Sequence, residues 1–223
     1  MMQKNNLVVF DIDGTLTDSV KQHQKAFSEM LFEIGVKKIS SEFKSFKHHT
    51  DSFIAKEIYE ADQKKTFSKE KKSQFEIGLT DKIKSQSFNE ITGAKRLIRK
   101  LQYDTDFGIC FATGSLKRAA EHKLKSIGIE FEAWQLVASD EIHEREGIVS
   151  QAIENATNNY KVQKFERIVS VGDGLWDLLT AQNLNLEFIG VGASNENKLI
   201  EKGAKLVYRD LSRFDLKTSS NTM

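Results

Sequence analysis

The chain has 223 residues, 39% of them hydrophobic and 29% charged, with a formal net charge of +1. That suits one large domain or a domain with an insertion, and gives no global electrostatic pull toward nucleic acid or acidic membranes. A single cysteine, Cys110, excludes an intrachain disulfide and a multi-cysteine zinc site, and its apolar setting predicts a buried structural thiol.

The N-terminal MMQKNNLVVF has too short an apolar run for a signal peptide, and no stretch can span a bilayer, so the cytoplasm is the expected compartment. Residues 7–10 read as a buried strand, which runs into Asp11-Ile12-Asp13-Gly14-Thr15-Leu16-Thr17-Asp18. Two carboxylates two residues apart point the same way on an extended chain, so Asp11 and Asp13 can share one site if a cation or proton relieves their repulsion. The bland alternative is an Asp-rich turn that caps a helix.

From 18 to 88 no convincing strand occurs. Helical stripes do, among them Phe27, Met30, Leu31 and Ile34, then Phe53, Ile54 and Ile58. Only Gly35 and Gly78 of the 13 glycines fall there, which marks the stretch as a helical insertion directly after the first strand. The basic tract Lys69, Lys71 and Lys72 reads as a solvated helix face.

Strand and helix signals then alternate. Strands are expected at 107–112, 135–138, 168–171, 188–191 and, more weakly, 206–208. Helical stripes run through Ala94, Leu97, Ile98 and Leu101, and through Leu116, Ala120, Leu124 and Ile127. This pattern predicts an α/β fold, a doubly wound (Rossmann-like) parallel sheet core with an inserted all-helical cap, whose ligand crevice lies at the strand carboxyl ends. The expected division is a core of 1–17 and 89–211, a cap of 18–88, and a polar, frayed tail of 212–223.

Two further motifs fall at strand ends. Thr113-Gly114-Ser115 offers a hydroxyl, a glycine amide and a helix start, a combination that cradles phosphate but also serves as a simple N-cap. Gly172-Asp173-Gly174-Leu175-Trp176-Asp177 places Asp173 at a strand end and Asp177 in the first helical turn. Oxygen ligands gathered at one sheet edge suit Mg2+.

These three motifs, in this order, resemble the haloacid dehalogenase superfamily, in particular its phosphatases. The insertion resembles the helical cap of phosphoglycolate phosphatase-like and phosphoglucomutase-like members. The resemblance implies that Asp11 is the nucleophile of an aspartyl-phosphate mechanism and that Asp13 protonates the leaving oxygen and then deprotonates water. It implies that Thr113 and the Gly114 amide hold the phosphoryl. Mg2+ would be held by Asp11, the Asp13 carbonyl and Asp173, with Asp177 in support. The family usually places a lysine before its fourth motif, often followed by proline, and no Lys-Pro occurs here. Arg145, within His143-Glu144-Arg145-Glu146-Gly147-Ile148 and ahead of a helix over 148–160, is the best candidate for that role. Lys117, Lys161 and Lys164 are weaker alternatives.

The loop Phe46-Lys47-His48-His49-Thr50-Asp51 reads equally as a grip on an anionic or hydroxylated leaving group and as a polar turn with Thr50 or Asp51 as N-cap. The expected function is a magnesium-dependent phosphatase of small phosphate esters, a monomer or homodimer with no nucleic-acid or membrane partner. The rivals are a sugar-phosphate phosphomutase using the same phospho-aspartate and a non-catalytic phospho-ligand-binding protein.

Overall fold

The computed structural model describes residues 3–39 and 46–216. The chain begins with β1 (Asn6–Phe10), a two-residue β2 (Thr17–Asp18), and three helices, α1 (Val20–Glu33), α2 (Asp51–Gln63) and α3 (Lys69–Lys84). It continues through β3 (Asn89–Glu90), α4 (Ala94–Asp104), β4 (Phe107–Ala112), α5 (Lys117–Ser126) and β5 (Leu136–Val137). The final run is α6 (Arg145–Tyr160), β6 (Arg167–Gly172), α7 (Leu175–Asn183), β7 (Glu187–Val191), α8 (Glu196–Glu201) and β8 (Val207–Tyr208). No helix among the described residues is long and apolar enough to cross a membrane.

Six strands form one sheet in the order β5-β4-β1-β6-β7-β8, with every pairing parallel. All six expected strands are present. Their side chains alternate between two apolar layers, as the period of two requires. Val8, Phe10, Ile109, Phe111, Val169 and Val171 face α4 and α5, while Leu7, Val9, Cys110 and Ala112 face α6. Helices therefore cover both faces, and strands buried on both sides read as unbroken hydrophobic runs.

The stretch after β1 is helical as expected, with one exception. Thr17–Asp18 pairs antiparallel with Asn89–Glu90, so a short ribbon closes the ends of the three-helix segment where pure helix was anticipated. Two-residue strands carry too little pattern to be seen in a sequence. Helices α1–α3 bury Phe27, Met30, Leu31, Ile54, Ile58, Phe75 and Leu79 in a common cluster, joined by Leu116 at the N-cap of α5 and Ala119 within it. Gly78 lies against the Met30 sulfur, where a Cβ would collide, so α1 and α3 approach closely.

The frayed tail expected from 212 is corrected over its first residues. Phe214 and Leu216 are buried in the main core, Arg96 Nη2 donates to the Ser212 carbonyl at 2.6 Å, and Arg167 Nη1 donates to the Leu216 carbonyl at 2.9 Å. The polar composition concealed two apolar anchors at the right spacing. Residues 217–223 lie outside the described ones.

Phe111 is 0% exposed on the central strand pair, so Phe111→Ala should destabilise the protein by about 3–5 kcal/mol, read as a lowered urea midpoint with unchanged slope. Cys110 is sealed within the sheet and its burial pushes the thiol pKa up, so a thiol reagent should label it only after unfolding.

Candidate active site

Three strand ends build the site. Asp11 extends the ladder one residue past β1, its amide donating to the Val171 carbonyl of β6 at 2.9 Å, which sets its side chain beside the β6 exit. Gly14 turns the chain away with φ +80°, and a Cβ there would collide with the Asp173 carboxylate. Asp173 follows β6 directly, and Asp177 lies in the first turn of α7, where its Oδ2 accepts the Gly174 amide at 3.0 Å. Among the described residues, Asp11, Asp173 and Asp177 form a cluster whose ligand oxygens all lie within 4.8 Å of one another.

Among the described residues, Arg145 is the one guanidinium that pairs with this cluster. It is the first residue of α6, a helix that starts three residues earlier than its apolar pattern suggests, and it is 5% exposed. Its Nη2 donates to Asp11 Oδ1 at 3.0 Å and to Asp177 Oδ1. The structure thus brings Arg145 to the acids. Lys117, Lys161 and Lys164 make no ion pair with the site acids.

The charges do not balance. Burial, then Asp177, push the Asp11 carboxyl up against the pull of Arg145. Burial together with Asp11, Asp177 and Asp13 pushes Asp173 well above the usual carboxylate range. Asp173 Oδ1 is buried and has no hydrogen-bond partner. An orphaned carboxylate oxygen within a three-acid cluster that holds one arginine fits a divalent cation, and hard oxygen donors suit magnesium.

Asp13, expected from the sequence to be the catalytic acid and to offer its backbone carbonyl to the metal, turns its side chain to other partners. Its carboxylate contacts Lys123 Nζ at 2.6 Å, accepts Ser115 Oγ at 2.7 Å and also accepts Ser19 Oγ. The Asp13 side chain therefore points into a polar network away from the acid cluster, which leaves its backbone carbonyl for any metal role. Burial alone would raise its pKa, but Lys123, His23 and these hydrogen bonds together hold it below the usual carboxylate range.

Thr113 and Gly114 sit at the end of β4. Thr113 Oγ1 accepts the Ser115 amide at 3.1 Å, and the Gly114 N–H has no partner among the described residues. The Gly114 carbonyl accepts the Asp51 amide at 2.8 Å, and a Cβ at Gly114 would collide with the His49 carbonyl. The loop before α2 therefore closes directly over this turn. Thr50 occupies the N-cap position of α2 without capping it, because its hydroxyl donates to the His143 carbonyl at 2.9 Å.

Lys123 was missed in the sequence. It is 0% exposed and also contacts Ser115 Oγ and His23 Nδ1, each at 3.0 Å. His23 Nε2 meets Asp51 Oδ1 at 2.9 Å, and Asp51 Oδ2 accepts the Leu116 amide at 3.0 Å. A continuous chain thus runs from Asp13 through Lys123 and His23 to the start of α2. A signal for it existed. Lys123 stands seven residues after Leu116 and His23 four before Phe27, both on the apolar stripes of their helices, where a titratable residue implies a buried partner.

A parallel six-stranded sheet covered by helices on both faces, with a cluster of acidic residues at its strand ends, defines a doubly wound α/β protein. The chain belongs to the haloacid dehalogenase-like hydrolases, whose family model matches residues 8–191. Among solved structures it is similar to a family IA, variant 3 haloacid dehalogenase hydrolase from Entamoeba histolytica, at 20% identity and TM-score 0.72, covering 95% of this chain and 96% of that one. It is also similar to CbbY from Rhodobacter sphaeroides, solved in complex with phosphate, at 17% identity and TM-score 0.70, covering 96% of each chain. A further similar structure is described as a "predicted phosphoglycolate phosphatase" from Haemophilus somnus, at 15% identity and TM-score 0.66, covering 98% of this chain and 99% of that one. These likenesses concern the fold. No curated protein matches the chain in sequence.

Lys123→Met should destabilise the fold at neutral pH by about 3–5 kcal/mol, because a buried ion pair loses one partner. Wild-type Asp13 is held below 3.8, so the contribution of the pair is complete above that pH and is lost only as pH falls below it. In the variant, burial raises Asp13 with less opposition. The stability gap measured by urea unfolding should therefore narrow as pH drops from about 7 toward about 4.

Proposed function

We propose that this protein is a magnesium-dependent phosphatase of small-molecule phosphate monoesters, acting through an aspartyl-phosphate on Asp11. The observation that carries the reading is the cluster of Asp11, Asp173 and Asp177 with an orphaned Asp173 oxygen, set beside the open Gly114 amide at one sheet edge. Within this reading, residues 1–17 and 89–211, together with the buried Phe214 and Leu216, form the catalytic core and residues 18–88 the cap over it. CbbY, similar in fold, has been solved with phosphate, which agrees with a phosphate-handling site.

Asp11, Asp173 and the Asp13 carbonyl would hold magnesium, which would supply positive charge to offset the carboxylates and the phosphoryl oxygens. Asp11 attacks phosphorus in line, forming the acyl-phosphate bond as the bond to the leaving oxygen breaks. Arg145 orients Asp11 and, being permanently charged, favours its ionised form. Thr113 and the Gly114 amide hold the equatorial oxygens. Asp13 delivers a proton to the leaving oxygen. It then takes a proton from water as the water oxygen bonds phosphorus and the bond to Asp11 breaks.

The Lys123 pairing keeps Asp13 ionised, which suits the second half of this cycle. The first half requires Asp13 to swing from Lys123 toward the phosphoryl site and arrive protonated. Asp177 acts by gripping Arg145.

With a panel of phosphate metabolites, magnesium should support phosphate release and EDTA should abolish it. Asp11→Asn should lower turnover by at least about a thousandfold while leaving the urea midpoint near that of wild type. An Asp11→Asn variant as active as wild type would sink the mechanism. Isomer interconversion without phosphate release would assign a mutase instead.

A further inference from the structure

Arg145 reaches Asp11 and Asp177 from the first position of α6, so whatever fixes that first turn fixes the site. The turn is poorly secured by its own residues. Glu144 at the N-cap makes no side-chain bond to the helix, Gly147 is a weak helix former, and the apolar anchorage of α6 begins only at Ile148. The chain contains no proline, so no ring fixes φ in the loop of residues 139–144 ahead of it. A Cβ at Gly147 would collide with Ile142 of that loop, so loop and turn are packed together and their positions are linked.

The core holds the near end of the loop. The Ser139 amide donates to the Ser115 carbonyl at 3.1 Å, and Asp140 Oδ2 accepts the Lys117 amide at 2.7 Å. The far end is held from the helical segment. Thr50 Oγ1 donates to the His143 carbonyl at 2.9 Å, and the Ser52 hydroxyl lies 2.8 Å from His143 Nδ1. Ser52 gives its one hydroxyl proton to the Ser139 carbonyl at 2.7 Å, so in the second contact His143 Nδ1 is the donor.

Both hydroxyl residues are buried, Thr50 at 1% and Ser52 at 4% exposure. Thr50 stands at the N-cap of α2, yet it turns its hydroxyl across to His143 and leaves α2 without that side-chain cap. Two hydrogen bonds from one helix end thus converge on the residue two before Arg145. The distance matters, because an error of about 1 Å at a group that orients a nucleophile costs about a hundredfold in rate.

We propose that Thr50 and Ser52 are positioning residues for Arg145. By holding His143 between them they set the first turn of α6, and with it the reach of the guanidinium to Asp11. The seating of the helical segment on the 139–144 loop is thereby part of what assembles the acid cluster. The kinetic consequence rests on the phosphatase reading, whereas the placement of Arg145 stands without it.

Arg145 Nε is buried and has no hydrogen-bond partner, so its N–H signal in nitrogen–proton NMR, assigned by its loss in Arg145→Met, reports the burial of this one guanidinium. Thr50→Val combined with Ser52→Ala should speed its exchange with water at least about tenfold while the β1 amides keep their wild-type rates. Thr50→Ser, which retains the hydroxyl, should leave the signal near wild type. Where the double variant folds poorly, Ser52→Ala alone should move it in the same direction. An Nε–H that is unchanged, or that speeds only in step with the β1 amides, overturns the proposal, because the hydroxyls then serve packing alone.

In phosphate release the double variant should lower kcat at least about tenfold with KM within about threefold of wild type, since Arg145 acts on Asp11. An unchanged kcat, or a loss confined to KM, sinks the positioning role and leaves the phosphatase standing. Absence of turnover in the wild-type protein ends the phosphatase reading instead, and the exchange measurement then decides by itself.

Discussion

Among the described residues, three carboxylates converge where the carboxyl ends of β1 and β6 meet, and one arginine pairs with two of them. Burying unbalanced charge costs several kcal/mol per ion, so this arrangement is tolerable only if a proton or a further cation relieves it. Much of the surrounding structure follows from that requirement. Gly14 clears the way for Asp173, the Gly174 amide fixes Asp177, and α6 begins one turn early so that Arg145 reaches both Asp11 and Asp177.

Asp13, only two residues from Asp11, lives in a different electrostatic setting. Lys123, Ser19 and Ser115 surround it, and the chain of contacts continues through His23 to Asp51 at the first turn of α2. Two carboxylates on adjacent same-side positions are thus pushed apart in protonation behaviour, Asp11 upward and Asp13 downward, by their partners rather than by their own chemistry. In the proposed cycle this divergence suits only the half in which Asp13 acts as a base, since an ionised nucleophile and a proton donor need the opposite order. It also ties the state of Asp13 to the packing of the helical segment, because His23 and Asp51 both belong to that segment.

The helical segment is bound to the core by more than apolar contact. Ser52 Oγ donates to the Ser139 carbonyl at 2.7 Å, Lys72 Nζ to the Asp140 carbonyl at 3.1 Å, and the Asp51 amide to Gly114. Lys72, read from the sequence as part of a solvated face, in fact reaches across to a core loop. The Ser52 and Asp51 links are buried and so are shielded from competing water, while the Lys72 link is only part-buried.

The sequence by itself determined the sheet and its edge. Each of the six strands is a hydrophobic run because both faces are buried, and glycines mark the turns where Asp11, Thr113 and Asp173 emerge, so the strands and the motif residues were legible from local pattern. Tertiary structure decided which charged side chains meet. The pairings of Lys123 with Asp13 and of Arg145 with Asp11 span more than a hundred residues, and no local periodicity encodes a partner at that distance. The two-residue ribbon and the buried Phe214 and Leu216 escaped notice for a related reason. A pair of residues carries no period, and what fixes its place is the surface against which it packs.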